Sequence, residues 1–305
     1  MRAASKRRSM IEVVNLSKSY GRVLAVDQAS FTVPDGAVTG FVGPNGAGKS
    51  TVLRAIAQLV MPNSGNVRID GRETRGLDTS GLLGVYLSSE ELPGRATARG
   101  VLRYVCDTRG MPHRDADELL EVVGLDQTAT KRIRTFSVGM KQRLGLAVAL
   151  LPRTRALMLD EPLNGLDPDG IHWIRHHLRQ VAEHGTAVLL SSHVMSELSQ
   201  MADRIVMLDR GRVVAEGTLA EFVAEREAER VLVEVSSVES ARHALSAHGL
   251  AFTESGRALI VSGTTTPEVG RIVFEAGLDV LHLQTVSRSL EETYFGRLAK
   301  SGTQA

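Results

Sequence analysis

Residues able to do chemistry concentrate in four short stretches. Gly43-Pro44-Asn45-Gly46-Ala47-Gly48-Lys49-Ser50-Thr51 fills every required position of G-x-x-x-x-G-K-[ST], a loop that wraps phosphate groups. Its glycines let backbone N–H groups turn inward, Lys49 is the cation that reaches β/γ-phosphates, and the Ser50 hydroxyl is a Mg2+ ligand. Asp160-Glu161 follows the apolar run Ala156-Leu157-Met158-Leu159. There Asp160 suits a Mg2+ ion, directly or through water, and Glu161 suits a water attacking a γ-phosphate. His193 closes Ser191-Ser192-His193 and could reach that same phosphate and water. Ser137 precedes an apolar helical pattern running to Leu151. Taken alone, it is either the cap of a buried helix or a second phosphate-binding helix terminus.

These side chains need elements to aim them. Val38-Thr39-Gly40-Phe41-Val42 before the loop and Val52, Leu53, Ile56, Leu59 after it set the loop at a strand-to-helix turn, the context the motif requires. A Gly-rich turn with a chance lysine is the bland alternative, and those flanks argue against it. The run 156–159 lacks polar alternation, as a parallel strand buried on both faces does, so Asp160 and Glu161 face the ligand crevice of an open α/β sheet. Thr186 to Ser192 is a second buried strand with His193 at its end. Ahead of the loop, short β-type runs (Ile11 to Val14, Leu24 to Val26, Ser30 to Val33) predict an antiparallel flap. Tyr20 in that flap is a ring able to stack on a nucleobase, or an ordinary strand-packing residue.

From about 82 to 152 the pattern predicts a compact helical insert, including helices over Thr97 to Arg109 and Asp115 to Val123. Asn164 to Pro168 is a turn into a helix over Asp169 to His184, whose His172, His176 and His177 read as a solvated face rather than a metal pair. A Glu/Arg/Ala-rich linker over Leu219 to Arg230 leads to a strand, helix, strand, strand, helix, strand series between Val231 and Gln284, the split βαβ order of a small α+β ferredoxin-like domain. The expected organisation is a basic tail at 1–10, an α/β nucleotide-binding domain at 11–220 and a C-terminal accessory domain at 221–305.

Length and composition bound the function. A chain of 305 residues, 43% hydrophobic, can bury one full α/β domain and a smaller one. With 36 basic against 35 acidic residues, nothing implies a nucleic-acid binder. Arg2, Lys6, Arg7 and Arg8 make a basic start that suits either anionic headgroups or a frayed tail, or translation begins at Met10. Cys106 stands alone, which excludes an intrachain disulfide framework and fits a reducing cytoplasm. No apolar run is long enough to span a bilayer.

With these motifs in this order, the chain resembles the ATP-binding subunit of an ABC transporter over about Ile11 to Gly217. The resemblance implies a P-loop ABC-type ATPase fold using ATP and Mg2+. It makes Gly43 to Thr51 the Walker A loop, Ala156 to Glu161 the Walker B strand with Glu161 as catalytic base, and Asn164 to Asp167 the D-loop. It also makes His193 the switch histidine, Tyr20 the ring on adenine, and Ser137-Val138-Gly139-Met140 the signature, with Ser137 and the Gly139 N–H on the γ-phosphate. The family's L-S-G-G-Q here reads Phe136-Ser137-Val138-Gly139-Met140, and where a loop glutamine is expected Ser88 stands.

Two such subunits pair head to tail around ATP in this family, beneath a polytopic permease at the inner face of the membrane. The C-terminal unit, with its Ser289-Leu290-Glu291-Glu292 run, resembles the tail of drug- and antibiotic-exporter subunits and so implies export. Two other readings stay open at this point: a soluble ABC-type ATPase of translation or DNA repair, and an ATP-binding regulator without turnover.

Overall fold

The computed structural model describes residues 9–79, 81–151, 154–224 and 230–286. Residues 1–8 of the basic start, Pro152, linker residues 225–229 and the Ser289-Leu290-Glu291-Glu292 run lie outside them. The chain divides into two compact units, 1–218 and 219–305.

In the first unit, β1 (Ser9–Tyr20) and β2 (Val23–Pro34) form a long antiparallel hairpin. The sequence predicted short separate runs here. The pairing instead continues through register shifts at Val13/Leu16 and Leu16/Lys18, so bulges absorb the residues that break the alternation. After β3 (Val38–Val42) and α1 (Lys49–Ile56), β4 (Ser64–Ile69) pairs with β1, and β5 (Arg72–Glu73) completes a four-stranded sheet ordered β2-β1-β4-β5.

Next come β6 (Leu83–Tyr86), α2 (Ala98–Arg109), α3 (His113–Val122) and α4 (Val138–Leu150). They are followed by β7 (Ala156–Leu159), α5 (Pro168–Glu183), β8 (Ala187–Ser192), α6 (Met195–Leu198), β9 (Arg204–Asp209) and β10 (Arg212–Thr218). The main sheet runs β10-β9-β3-β8-β7-β6, parallel from β9 to β6 with β10 an antiparallel edge.

All residues of β3, β7 and β8 are buried, which is why their runs show no polar alternation, with Thr39, Ser191 and Ser192 as buried polar exceptions. Leu83–Tyr86 departs from the expected helical insert. It pairs residue for residue with β7, and so belongs to the sheet edge rather than to a helix. A four-residue apolar run is too short for its periodicity to separate the two.

One core lies between the two sheets and α1. Phe31 of β2 stacks on Phe41 of β3 with ring centroids 5.1 Å apart, among buried Ile11, Leu16, Leu53 and Ile56. Each such side chain contributes roughly 1.5–3 kcal/mol by leaving water. A second core unites α2, α3 and α4 through Leu102, Leu120, Phe136 and Leu144. Cys106 is buried there, and burial pushes its thiol up, making it a packing residue rather than a nucleophile. On α5, His177 is not solvated but half-buried with its ring 4.1 Å from Trp173, while His172 and His176 are exposed.

The second unit contains α7 (Leu219–Ala224), β11 (Arg230–Val235), α8 (Val238–Ala247), β12 (Ala251–Ser255), β13 (Ala258–Ser262), α9 (Thr266–Glu275) and β14 (Val280–Val286). Its antiparallel sheet is ordered β12-β13-β11-β14, with Val231, Val233, Leu245, Leu259 and Val273 in a core of its own. This is the ferredoxin-like order the sequence predicted.

Candidate functional site

The loop from Gly43 to Gly48 joins β3 to α1, and its backbone admits glycine alone at two points. A Cβ on Gly43 would stand 2.3 Å from the Leu208 carbonyl oxygen. One on Gly48, whose φ is +104°, would stand 2.4 Å from the Ala25 oxygen. Helix α1 therefore starts without a side-chain cap and without an acidic residue in its first turn. Its first N–H groups and the positive end of its dipole are left for an anion.

Around that helix end lies a cavity of about 350 Å3 lined by Ala25, Asn45, Gly46, Gly48, Lys49, Ser50, Thr51, Glu161, Asn164 and His193. Lys49 is only 6% exposed, and its ammonium donates to the Gly43 carbonyl at 2.6 Å and the Pro44 carbonyl at 3.3 Å. Its Nζ also lies 3.6 Å from Glu161 Oε1.

The opposite wall comes from the C-terminal ends of β7 and β8. Glu161 takes φ +49°, left-handed backbone that costs a non-glycine residue on the order of 1–3 kcal/mol and collects at functional sites. Its N–H donates to Ser191 Oγ at 2.9 Å, and the same Oγ donates to Asp160 Oδ1 at 2.5 Å. The other side of the Glu161 carboxylate meets His193 Nδ1 at 2.8 Å. The ring is held at a tight bend where Val194 N–H donates to Ser192 Oγ at 2.9 Å. Close by on α6, burial first and then the Glu161 carboxylate hold Glu197 above the ordinary glutamate range, against the pull of His193 and Arg175.

The structure thus brings together Asn45, Gly46, Gly48, Lys49, Ser50, Thr51, Glu161 and His193, with Asp160 beside Glu161. Gly43, Pro44 and Ala47 shape the loop behind them: the Ala47 N–H donates to the Pro44 carbonyl at 3.1 Å. Tyr20, Ser137, Gly139 and Asp167 lie outside the cavity lining. Tyr20 is 47% exposed at the hairpin end, with Lys18 Nζ 5.3 Å from its ring centroid. Ser137 caps α4, accepting from Met140 N–H at 3.2 Å, and Asp167 caps α5, accepting from Gly170 N–H at 2.8 Å. A Cβ on Gly139 would touch Leu166 at 3.4 Å. Ser88 likewise caps its own turn, accepting from Glu90 N–H at 3.1 Å.

Sequence reasoning assigned no site role to Ser191 or Ala25, and gave Asn164 only a place in the D-loop that the resemblance implied. Ser191 was legible only as a polar residue ending a buried strand, and its neighbour across the sheet comes from the β7/β8 register. Asn164 lines the cavity, and its carbonyl accepts from the Gln142 side-chain amide of α4, which ties that helix to the cavity wall. Ala25 lines the cavity with its carbonyl packed against Gly48, and an alanine in a flap strand carries no sequence signal of such a place.

The donor set fits a nucleotide with a divalent cation. An open helix terminus and a buried cation suit phosphates, and a serine hydroxyl and a carboxylate offer hard oxygen ligands. A family model described as ABC transporter matches residues 26–164, and a second, described as a domain of unknown function, matches residues 229–291. The bacitracin transport ATP-binding protein BcrA of Enterococcus faecalis is 34% identical, over 96% of this chain and 97% of its own length. The daunorubicin resistance ATP-binding protein DrrA3 of Streptomyces coeruleorubidus is 36% identical, over 93% and 94%. A solved dimeric ATP-binding cassette in a post-hydrolysis state, bound to ADP and Pi, is 26% identical with a TM-score of 0.64, over 69% of this chain and 99% of its own.

Proposed function

Because this chain belongs to the ATP-binding subunits of ABC transporters, and is an ATPase of that family, we propose that it powers a membrane exporter of drugs, antibiotics or other small molecules. The observation that carries the reading is one cavity in which the uncapped start of α1, buried Lys49, and the Glu161–His193 pair converge. The relatives named for bacitracin transport and daunorubicin resistance support the direction and the substrate class.

In this mechanism the α1 amides and Lys49 receive the ATP phosphates. Ser50 and Asp160 would hold Mg2+, which when bound neutralises charge on the β- and γ-phosphates. Glu161 takes the proton of the attacking water, and His193, hydrogen-bonded to that carboxylate, keeps it oriented and contacts the γ-phosphate.

Ser137 and the Gly139 N–H, outside their own chain's cavity, would serve the ATP of a second copy packed head to tail, and Tyr20 would stack on adenine. The dimeric form of the solved relative supports such pairing. Among the described residues no helix is long and apolar enough to cross a membrane, and the proposed translocation path belongs to a polytopic permease that holds this chain at the inner face of the membrane. The unit from 219 onward, with its separate core, is proposed as an accessory domain for partner binding or self-association.

The test is isolation of the tagged chain from gently solubilised membranes of its host. A polytopic membrane protein in near-stoichiometric amount is expected, with recovery reduced when the chain is cut after Thr218. Recovery only from the soluble fraction would contradict the exporter reading, and unchanged recovery of the shortened chain would contradict the accessory role.

A further inference from the structure

Ser191 stands where the metal-holding and base-bearing residues meet. The register pairs Leu159 with Leu190, so one step further the strand ends set Asp160 beside Ser191. Ser191 is fully buried, and its single hydroxyl makes two different bonds. It donates to Asp160 Oδ1 at 2.5 Å, the length of a charge-assisted O–H···O bond, and accepts the Glu161 N–H at 2.9 Å.

Each bond has its own consequence. Donation occupies one named oxygen of Asp160 and fixes the plane of the carboxylate, which leaves the second oxygen a defined direction. Acceptance holds the Glu161 amide while that residue keeps φ +49°, a backbone state an L residue leaves unless it is held. The held backbone is what sets Glu161 Oε2 2.8 Å from His193 Nδ1 and Oε1 3.6 Å from Lys49 Nζ.

We propose that Ser191 is a positioning residue for hydrolysis: its hydroxyl aims the Asp160 carboxylate and locks the Glu161 backbone in its left-handed conformation. The proposal rests on the reading of Asp160 as the Mg2+ carboxylate and Glu161 as the base. Removing the hydroxyl takes the partner from a part-buried carboxylate oxygen and from a backbone N–H at once, so both groups relax. Residues that orient groups around a metal typically control activity by about 10–100-fold.

The experiment uses the full chain as wild type, Ser191→Ala, Ser191→Cys and, as a control, Thr39→Val. Thr39 is equally buried on β3 of the same sheet, and its hydroxyl has no hydrogen-bond partner among the described residues. Two quantities are read: kcat and KM for MgATP, and the rise in melting temperature caused by ATP with and without Mg2+. Ser191→Ala is expected to lose about 10–100-fold in kcat, with KM for MgATP rising only as far as the lost Mg2+ contribution to binding. It should keep the ATP-induced rise in the absence of Mg2+ and lose the further rise that Mg2+ adds. Ser191→Cys, similar in size but a weak donor, falls between Ala and wild type, and Thr39→Val behaves as wild type.

Wild-type kcat and an intact Mg2+ increment in Ser191→Ala would overturn the proposal. So would loss of the Mg2+-free ATP response, which marks general collapse of the site. If the Ala variant does not fold, the Cys variant carries the same two readouts. A wild-type chain that binds MgATP without turnover would refute the hydrolysis mechanism instead, and the Mg2+ increment would still decide whether Ser191 aims Asp160.

Discussion

Two helix starts in this chain carry the residues assigned to phosphate, and they are built in opposite ways. Helix α1 follows a left-handed Gly48, has no side-chain cap, and lines the cavity with Lys49, Ser50 and Thr51. Helix α4 follows Ser137, which gives its oxygen to the Met140 N–H and lies outside that cavity. The first terminus is open, with its donors left over by glycine geometry. The second is closed on itself, and its exposed first residue, Val138 at 54%, faces away from the chain's own core. The difference supports the proposed division, in which α1 receives nucleotide within one copy and α4 would reach nucleotide only when another molecule is brought against it. Helix α5 repeats the closed design through Asp167, and among the described α-helices α1 is the one whose start has neither a side-chain cap nor an acidic residue in its first turn.

The largest effect separating the two ends is expected at Lys49. Lys49→Ala removes a buried ammonium from the open terminus and should lower kcat/KM by roughly 10²–10³-fold, the scale for losing one pre-placed donor to developing charge. Steady-state ATPase assays check this, and near-wild-type turnover would break the assignment of the open end.

Ser137→Ala is expected to act more mildly and in two parts. Loss of the cap should cost about 0.5–2 kcal/mol, read by thermal or urea unfolding. Turnover should drop while ATP binding to a single copy, measured by titration with the nucleotide at low protein concentration, stays unchanged. Weakened binding in the single copy would erase the distinction between the two termini.

The open terminus was legible in the sequence because its chemistry is contiguous. Gly43 to Thr51 are neighbours along the chain, and every constraint on them is local backbone geometry. Asp160 and Glu161 were legible for a related reason, since the fully apolar run 156–159 announces a strand buried on both faces and the carboxylates mark its end. His193 followed from the same logic one strand over. The Ser191 bridge was not legible, because it exists only through the pairing of β7 with β8, and nothing within either strand fixes which residue stands opposite.

Ala25 escaped for a similar reason, its place in the lining set by the fold, while Asn164 was legible only as part of the D-loop that the resemblance implies, without its Gln142 contact from α4. Leu83–Tyr86 was misread because four apolar residues fit a helix as well as a strand until β7 supplies a partner. In the C-terminal unit, by contrast, alternation along Val231 to Val235, a Ser237-capped α8 and an amphipathic α9 made the order of elements readable without any site to guide it.

The most direct test of the account concerns Glu161. In the full chain with Glu161→Gln, sedimentation analysis with ATP and Mg2+ should show an ATP-dependent association of two copies that persists, and turnover reduced about 10²–10⁴-fold, the range for losing a general base. The wild type under the same conditions should hydrolyse its ATP and return to its nucleotide-free mass. A Glu161→Gln chain that turns over ATP at the wild-type rate, or whose mass is indifferent to ATP, would contradict both the base assignment and the division of labour between the two helix ends.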